Sequence, residues 1–202
     1  MKKHVVITIG CECGAGGPVI GKMIADSLGI EYFDRDFIDQ VVEQAGVSKD
    51  VIQKANEAKA VKGRGPGIGD FLGARYEDLT ERIIYVQFEV IKKLAEKSSC
   101  VIIGRCADYI LKDRDDVLNI FVYAPDEDRI EAVMKDHKFN RKQAQAYIEH
   151  RDHMLHSRYK YMTGTYRGDR HNRHMLIDSS VLGWRGTAQF IESLIRQRFG
   201  DI

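Results

Sequence analysis

No stretch of this chain approaches the roughly 20 consecutive apolar residues that a membrane span requires. The two lysines of the opening MKKHVVITIG precede only a short apolar run. Neither a membrane span nor a secretory leader is expected, and a soluble, cytoplasmic protein is. Charge of one sign is equally scarce, with 31 Lys and Arg against 30 Asp and Glu in 202 residues. No global field points to a nucleic-acid polymer or a membrane as partner, so any electrostatic specialisation must be local. Cysteine is sparse as well: Cys11, Cys13, Cys100 and Cys106 are too few and too scattered for a disulfide framework, and reduced thiols are expected. Cys11 and Cys13 form a CxC, but no second Cys or His pair stands nearby at zinc-like spacing, and no metal site is assigned.

What the chain does contain is an alternation of strand and helix patterns, in a length suited to one domain with a sizeable core. HVVITIG (4–10), CVIIG (100–104) and VLNIFVY (117–123) are β-branched apolar runs of the buried kind and should lie side by side in a parallel sheet. EYF (31–33) and HMLID (174–178) bring the sheet to five strands. Pro18 suits a helix start, Val19, Ile20, Met23, Ile24 and Leu28 follow at helical spacing, and Gly29 ends the segment. A second helix is expected after Asp36 as N-cap, a third from Ser48 to about residue 60, and a long one from Glu77 to Lys97. Five glycines and a proline between residues 63 and 73 predict a mobile loop. APDEDR opens another helix with acids in its first turn. Asn140 and Gln143 have capping-box spacing for a helix reaching about Tyr161, and GWRGTAQFIESLIRQRF reads as a terminal amphipathic helix.

The first glycine cluster, GCECGAGGP at residues 10–18, sits between a strand and a helix. Free backbone N–H groups and the helix dipole then point at one place, which makes an anion site. Two patterns share this opening. The dinucleotide fingerprint GxGxxG accounts for Gly14 and Gly16, with Asp34 or Asp36 as the distal acid, but Val19 stands where the third glycine belongs. The phosphate loop GxxxxGK[ST], aligned on Gly16, meets Cys11 in place of its first glycine, Gly17 in place of lysine and Pro18 in place of the hydroxyl residue. Arginines favour phosphate chemistry, because they clamp oxygens bidentately and stabilise charge moving between phosphates. Arg105 follows a strand pattern directly, so it emerges at the sheet edge where open α/β folds bind ligands. Arg151 and Arg158 are two helical turns apart and share a face. Arg167, Arg170 and Arg173 follow in a basic loop at 161–174.

Over nearly its whole length the chain resembles the cytidylate kinase-like family, relatives of the nucleoside monophosphate kinases. The resemblance is carried by ITIxxExGxGG at 7–17, LGIEYFDRDFI at 28–38, FEVIKKLAEKSSCVIIGRCADYIL at 88–111 and NIFVYAPDEDRI at 119–130. RDHMLHSR (151–158) is similar to the arginine-bearing lid of that family, and LIDSSVLG (176–183) to the stretch that follows it. The resemblance implies a three-layer α/β/α fold with a five-stranded parallel sheet, an acceptor-binding excursion at about 36–80 and a lid at about 140–172. It implies ATP and Mg²⁺ as cofactors, small nucleotides as partners, CMP or dCMP as the simplest acceptor, and leaves a homo-oligomer open. Gly14, Ala15, Gly16 and Gly17 would offer backbone N–H groups to the donor. Arg105 would hold the acceptor phosphate, Arg151 and Arg158 would act on the transferring group, and Asp178 would contact the acceptor sugar. Asp34 and Arg35 would open the acceptor region.

The loop departs from that pattern by lacking the lysine, an arginine at position 18 and a nearby hydroxyl. Lys22, five residues past Gly17, is expected to point away from the loop. A nucleotide-binding protein without catalysis is thus a second reading, and an NAD(P)-dependent oxidoreductase a third. His150, His153 and His156 step by three along the lid and carry no metal assignment, and Trp184 is expected to pack under the last helix.

Overall fold

The computed structural model describes residues 3–44, 46–48, 69–200 and 202, with side chains excepted over residues 69–82. Its elements in chain order are β1 (Val6–Cys11), α1 (Gly17–Leu28), β2 (Glu31–Phe33), α2 (Arg35–Gln44), α3 (Gly69–Lys97), β3 (Cys100–Ile103), α4 (Ala107–Ile110), β4 (Val117–Tyr123), α5 (Asp126–His137), α6 (Arg141–Thr163), a 3-10 turn (Arg170–Asn172), β5 (Met175–Asp178) and α7 (Gly183–Phe199). The five strands form one sheet in the order β2-β3-β1-β4-β5, and every pairing is parallel. The three longest apolar runs are adjacent at its centre, as expected. Their near-continuous burial follows from helices covering both faces.

Side-chain alternation along the strands builds two cores. Val5, Ile7 and Ile9 join Val101, Ile103, Leu118 and Ile120 on the face covered by α1 and α7, through Ile20, Ile24, Ile191 and Ile195. Val6, Cys100, Ile102 and Val117 face the other way, toward Ile38 of α2, Ile91 and Ala95 of α3, and Ala107 of α4. A separate small cluster of Ile130, Val133, Ala144 and Ile148 holds α5 to α6, and the Cys13 side chain packs against it. The Asn140 capping box forms as its spacing predicts, and α6 runs two residues beyond Tyr161.

Three expectations are corrected. The cap of α2 is Asp34, which accepts from the Phe37 N–H at 2.9 Å, and Asp36 lies inside the helix. The long helix starts at Gly69, so residues 69–73 of the glycine-rich stretch are helical. Residues 49–68, with the expected third helix and most of that stretch, lie outside the described residues. The short helix α4 was not expected. It follows three successive left-handed residues, Gly104 (φ 68°), Arg105 (φ 54°) and Cys106 (φ 56°). Such a conformation costs a non-glycine residue roughly 1–2 kcal/mol, and it turns Arg105 out of β3 into the helical layer.

Candidate active site

The loop after β1 lies at the carboxyl end of the central strand. Gly14 (φ 86°) and Gly16 (φ 84°) take left-handed conformations that turn successive amides toward the start of α1. The loop is walled on several sides. A Cβ on Gly14 would stand 2.7 Å from the Arg129 carbonyl oxygen, and one on Gly16 would stand 2.4 Å from the Trp184 indole nitrogen. Trp184 therefore lies against the loop rather than under the last helix. The Ser179 hydroxyl donates to the Ala15 carbonyl at 2.8 Å.

The same packing explains the missing lysine. A Cβ on Gly17 would fall 2.5 Å from both Cβ and Sγ of Cys11. The Gly17 N–H donates to that sulfur. Cysteine at 11 and glycine at 17 thus fill jointly the space that a phosphate loop gives to glycine and lysine. Lys22 does not substitute: it pairs with Asp26 at 2.7 Å on the exposed face of α1.

An ionic clamp holds the loop from the side of α5 and α6. Arg129, at the start of α5, donates through Nε to the Cys13 carbonyl at 2.9 Å, and through Nη1 to Glu12 at 3.2 Å. Its Nη2 donates to Asp152 on α6. Asp152 also accepts from the Cys13 N–H at 2.9 Å and from Arg167 at 3.4 Å, and Arg167 reaches the Cys11 carbonyl. Burial raises the Cys13 thiol to about 11, with the Asp152 charge adding to the effect. Burial likewise raises Cys11 and Glu12, the latter against the pull of Arg129. Arg151, next to Asp152, is close enough to act on Cys13 by its charge.

A second cationic cluster lies past the end of β3. Arg105, with 4% of its side chain exposed, pairs with Asp39 of α2. Gln87 of α3 donates to the same Asp39 at 3.1 Å and accepts from Arg158 of α6 at 2.5 Å. Burial, then the charge of Arg158, pulls the Arg105 guanidinium down to about 9. Burial lowers Arg158 too, and the charge of Arg35 disfavours both cations. Arg35, Arg105 and Arg158 therefore converge near the partly buried Asp39. Asp36 meets Arg35 at 3.5 Å on the surface. Beneath this cluster Arg173, 1% exposed, pairs with Asp108, which also accepts from the Tyr159 hydroxyl at 2.6 Å.

The structure thus brings Arg35, Arg105 and Arg158 together at one place, and the Gly14–Gly17 loop with Arg151 at another. Asp34 is a helix cap. Asp178 joins neither cluster: it accepts from the Ser180 N–H and hydroxyl after β5. β5 lies three strand spacings, about 14 Å, from β3. Sequence reasoning missed Arg129, Asp152, Asp39, Asp108 and Trp184. Asp152 is adjacent to Arg151 and Arg129 follows the acids of APDEDR, but nothing local marks either as a loop contact.

The chain matches the family model described as the cytidylate kinase-like family over residues 6–181. Solved structures resemble it over nearly their whole length. An uncharacterized protein from Eubacterium ventriosum is 23% identical at a TM-score of 0.74, with 95% of this chain and 98% of that one covered. Shikimate kinase from Acinetobacter baumannii, in complex with shikimate, is 18% identical at 0.53, with 98% and 96% covered. Shikimate kinase from Bacteroides thetaiotaomicron is 12% identical at 0.53, with 95% and 98% covered. These likenesses show the P-loop kinase fold. No protein of curated function matches.

Proposed function

The chain belongs to the cytidylate kinase-like family, and on that premise we propose that it transfers the terminal phosphoryl group of ATP to CMP or dCMP. The observation that carries this reading is that one rigid helix reaches two anion sites. Asp152 and Arg151 of α6 lie at the glycine loop, while Arg158 lies in the Arg35–Arg105 cluster. Two turns separate Arg151 from Arg158, about 10 Å along the helix.

The loop would take the phosphates of ATP on backbone N–H groups around its two left-handed glycines and the start of α1, although the Ala15 N–H donates to the Glu12 carbonyl at 3.2 Å and the Gly17 N–H to the Cys11 sulfur. Magnesium fits the protein less well: Pro18 stands where a hydroxyl would be, and among the described residues no three metal-ligating side chains cluster. The ion would arrive on the nucleotide's phosphates, where it neutralises charge. Acceptor phosphate would take the Arg35, Arg105 and Arg158 guanidiniums, which clamp phosphate oxygens through charge-assisted hydrogen bonds. Catalysis would be positioning and charge stabilisation, with no covalent intermediate on the protein.

A second reading, nucleotide binding without turnover, draws on Gly17, Pro18 and the Cys11 side chain that fills the lysine's place. A phosphotransfer panel over CMP, dCMP, UMP, AMP and hydroxylated non-nucleotide acceptors such as shikimate separates the two. Turnover with CMP or dCMP above the other acceptors is expected. ATP binding with no turnover on any acceptor would establish the second reading.

A further inference from the structure

The loop's own sequence lacks a cation, yet two arginines stand at it with a carboxylate between them. Asp152 is held by three donors from three separate parts of the chain. They are the Cys13 N–H of the loop, Arg129 of α5, and Arg167 from the segment after α6. A loop amide with two guanidinium groups is the donor set of a phosphate oxygen site, here filled by a side chain of the protein itself.

Both arginines are fixed independently of Asp152. Arg129 has 8% of its side chain exposed and is anchored to the Cys13 carbonyl and Glu12. Arg167 has 12% exposed, is anchored to the Cys11 carbonyl, and stacks over the Phe121 ring at 5.6 Å. Their charges meet Glu12 and Asp152, and Arg129 also meets the exposed Asp126 of its own helix at 3.3 Å. Glu12 is tied to the loop backbone, whereas Asp152 belongs to the lid helix and has 26% of its side chain exposed. Asp152, which bridges both arginines and the loop amide, can therefore leave while the two cations stay in place.

We infer that Arg129 and Arg167 supply the cationic half of the donor-phosphate site, and that Asp152 occupies the terminal phosphate's position until a nucleotide displaces it. The inference rests on the kinase reading only in taking the glycine loop as a phosphate site. Because Asp152 and Arg151 are neighbours on α6, displacement frees the lid helix from the loop at the moment the donor binds, and turns Arg151 from a bystander into a second contact for the same phosphates. Asp152 is on this account a positioning residue, and Arg129 and Arg167 are binding residues. The competing role is structural, with Asp152 simply tethering the lid.

The two roles predict opposite changes in affinity. Asp152→Asn keeps an oxygen for the Cys13 N–H but gives up the charge that competes with phosphate. ATP and inorganic tripolyphosphate should bind it about tenfold more tightly than they bind the parent, because a competing closed state is depopulated. AMP, whose single phosphate does not reach the terminal position, should bind both proteins alike. Arg167→Ala should weaken ATP and tripolyphosphate about tenfold and leave AMP unchanged. Titrations can be read through Trp184, the single tryptophan, which lies against Gly16. Equal or weaker ATP binding by Asp152→Asn overturns the inference and leaves the kinase reading standing. Failure of parent and variant alike to bind ATP or tripolyphosphate overturns both. If Asp152→Asn does not fold, Arg167→Ala decides, and undiminished ATP binding by it refutes the assignment.

Discussion

Replacing Gly17 by alanine should destabilise this protein, although alanine for glycine at a helix position ordinarily does the reverse. Gly17 opens α1 without a positive φ, so alanine there would gain up to about 1 kcal/mol from helix propensity and reduced unfolded-state freedom. Against that gain, its Cβ would lie 2.5 Å from both Cβ and Sγ of Cys11. Overpacking of this severity costs about 1–3 kcal/mol. At 2.5 Å the clash lies toward the upper end of that range and outweighs the gain, leaving a net cost of up to about 2 kcal/mol. Cys11→Ala does not relieve the clash, since the Cys11 Cβ is itself one of the two atoms struck, whereas Cys11→Gly does. In the Cys11→Gly background, Gly17→Ala should change sign and stabilise, giving a coupling of about 1–3 kcal/mol. Urea unfolding of the four proteins of this cycle, compared at a common m-value, measures it. Additivity within about 0.5 kcal/mol, or a stabilising Gly17→Ala in the parent, would refute the account of why the lysine is missing. The functional corollary is that Gly17→Lys alone should not improve ATP binding, while Cys11→Gly/Gly17→Lys should.

Arg105→Ala should raise the acceptor KM and, by taking the cation from the partly buried Asp39 carboxylate, destabilise by about 2 kcal/mol. Adding Asp39→Ala should cost less than the sum of the two single changes, and denaturant unfolding with steady-state kinetics checks both points. Asp34→Ala removes the α2 cap and should cost about 1 kcal/mol, with kcat altered little if capping is its main role. Burial and the Asp152 charge raise Cys13 to about 11. At pH 8 its thiolate fraction, and so its alkylation rate by iodoacetamide, should be about a hundredfold below that of an ordinary thiol. The rate should climb as pH rises toward 11, and Asp152→Asn should accelerate it; mass spectrometry after timed exposure tests both.

The strands were legible because their side chains had to be buried on both faces. VLNIFVY became β4 (Val117–Tyr123) without change of boundary, and the three longest runs paired at the centre as their continuous apolarity required. The Asn140–Gln143 capping box was legible because capping is local. Helix α4 was not, since it depends on Arg105 and Cys106 accepting left-handed backbone that neither residue favours. The surroundings of Asp178 were not legible for a related reason. A carboxylate at a strand's end can face substrate or close its own turn, and here Ser180 captures it.

By itself the sequence determined the alternation of strand and helix, the glycine loop at a helix start, and the arginines at Arg105, Arg151 and Arg158. These follow from periodicity, backbone sterics and residue chemistry, all of which act over a few residues. Only the tertiary structure decided which charges meet. Asp39 is 66 positions from Arg105, Asp152 is 139 from Cys13, and Arg167 is 156 from Cys11. Contacts over such separations are set by how the sheet and its covering helices pack, and no local rule encodes them. The same holds for the absent lysine. Gly17 looks like a defect in the sequence, and the Cys11 side chain packed against it shows it to be half of a packed pair.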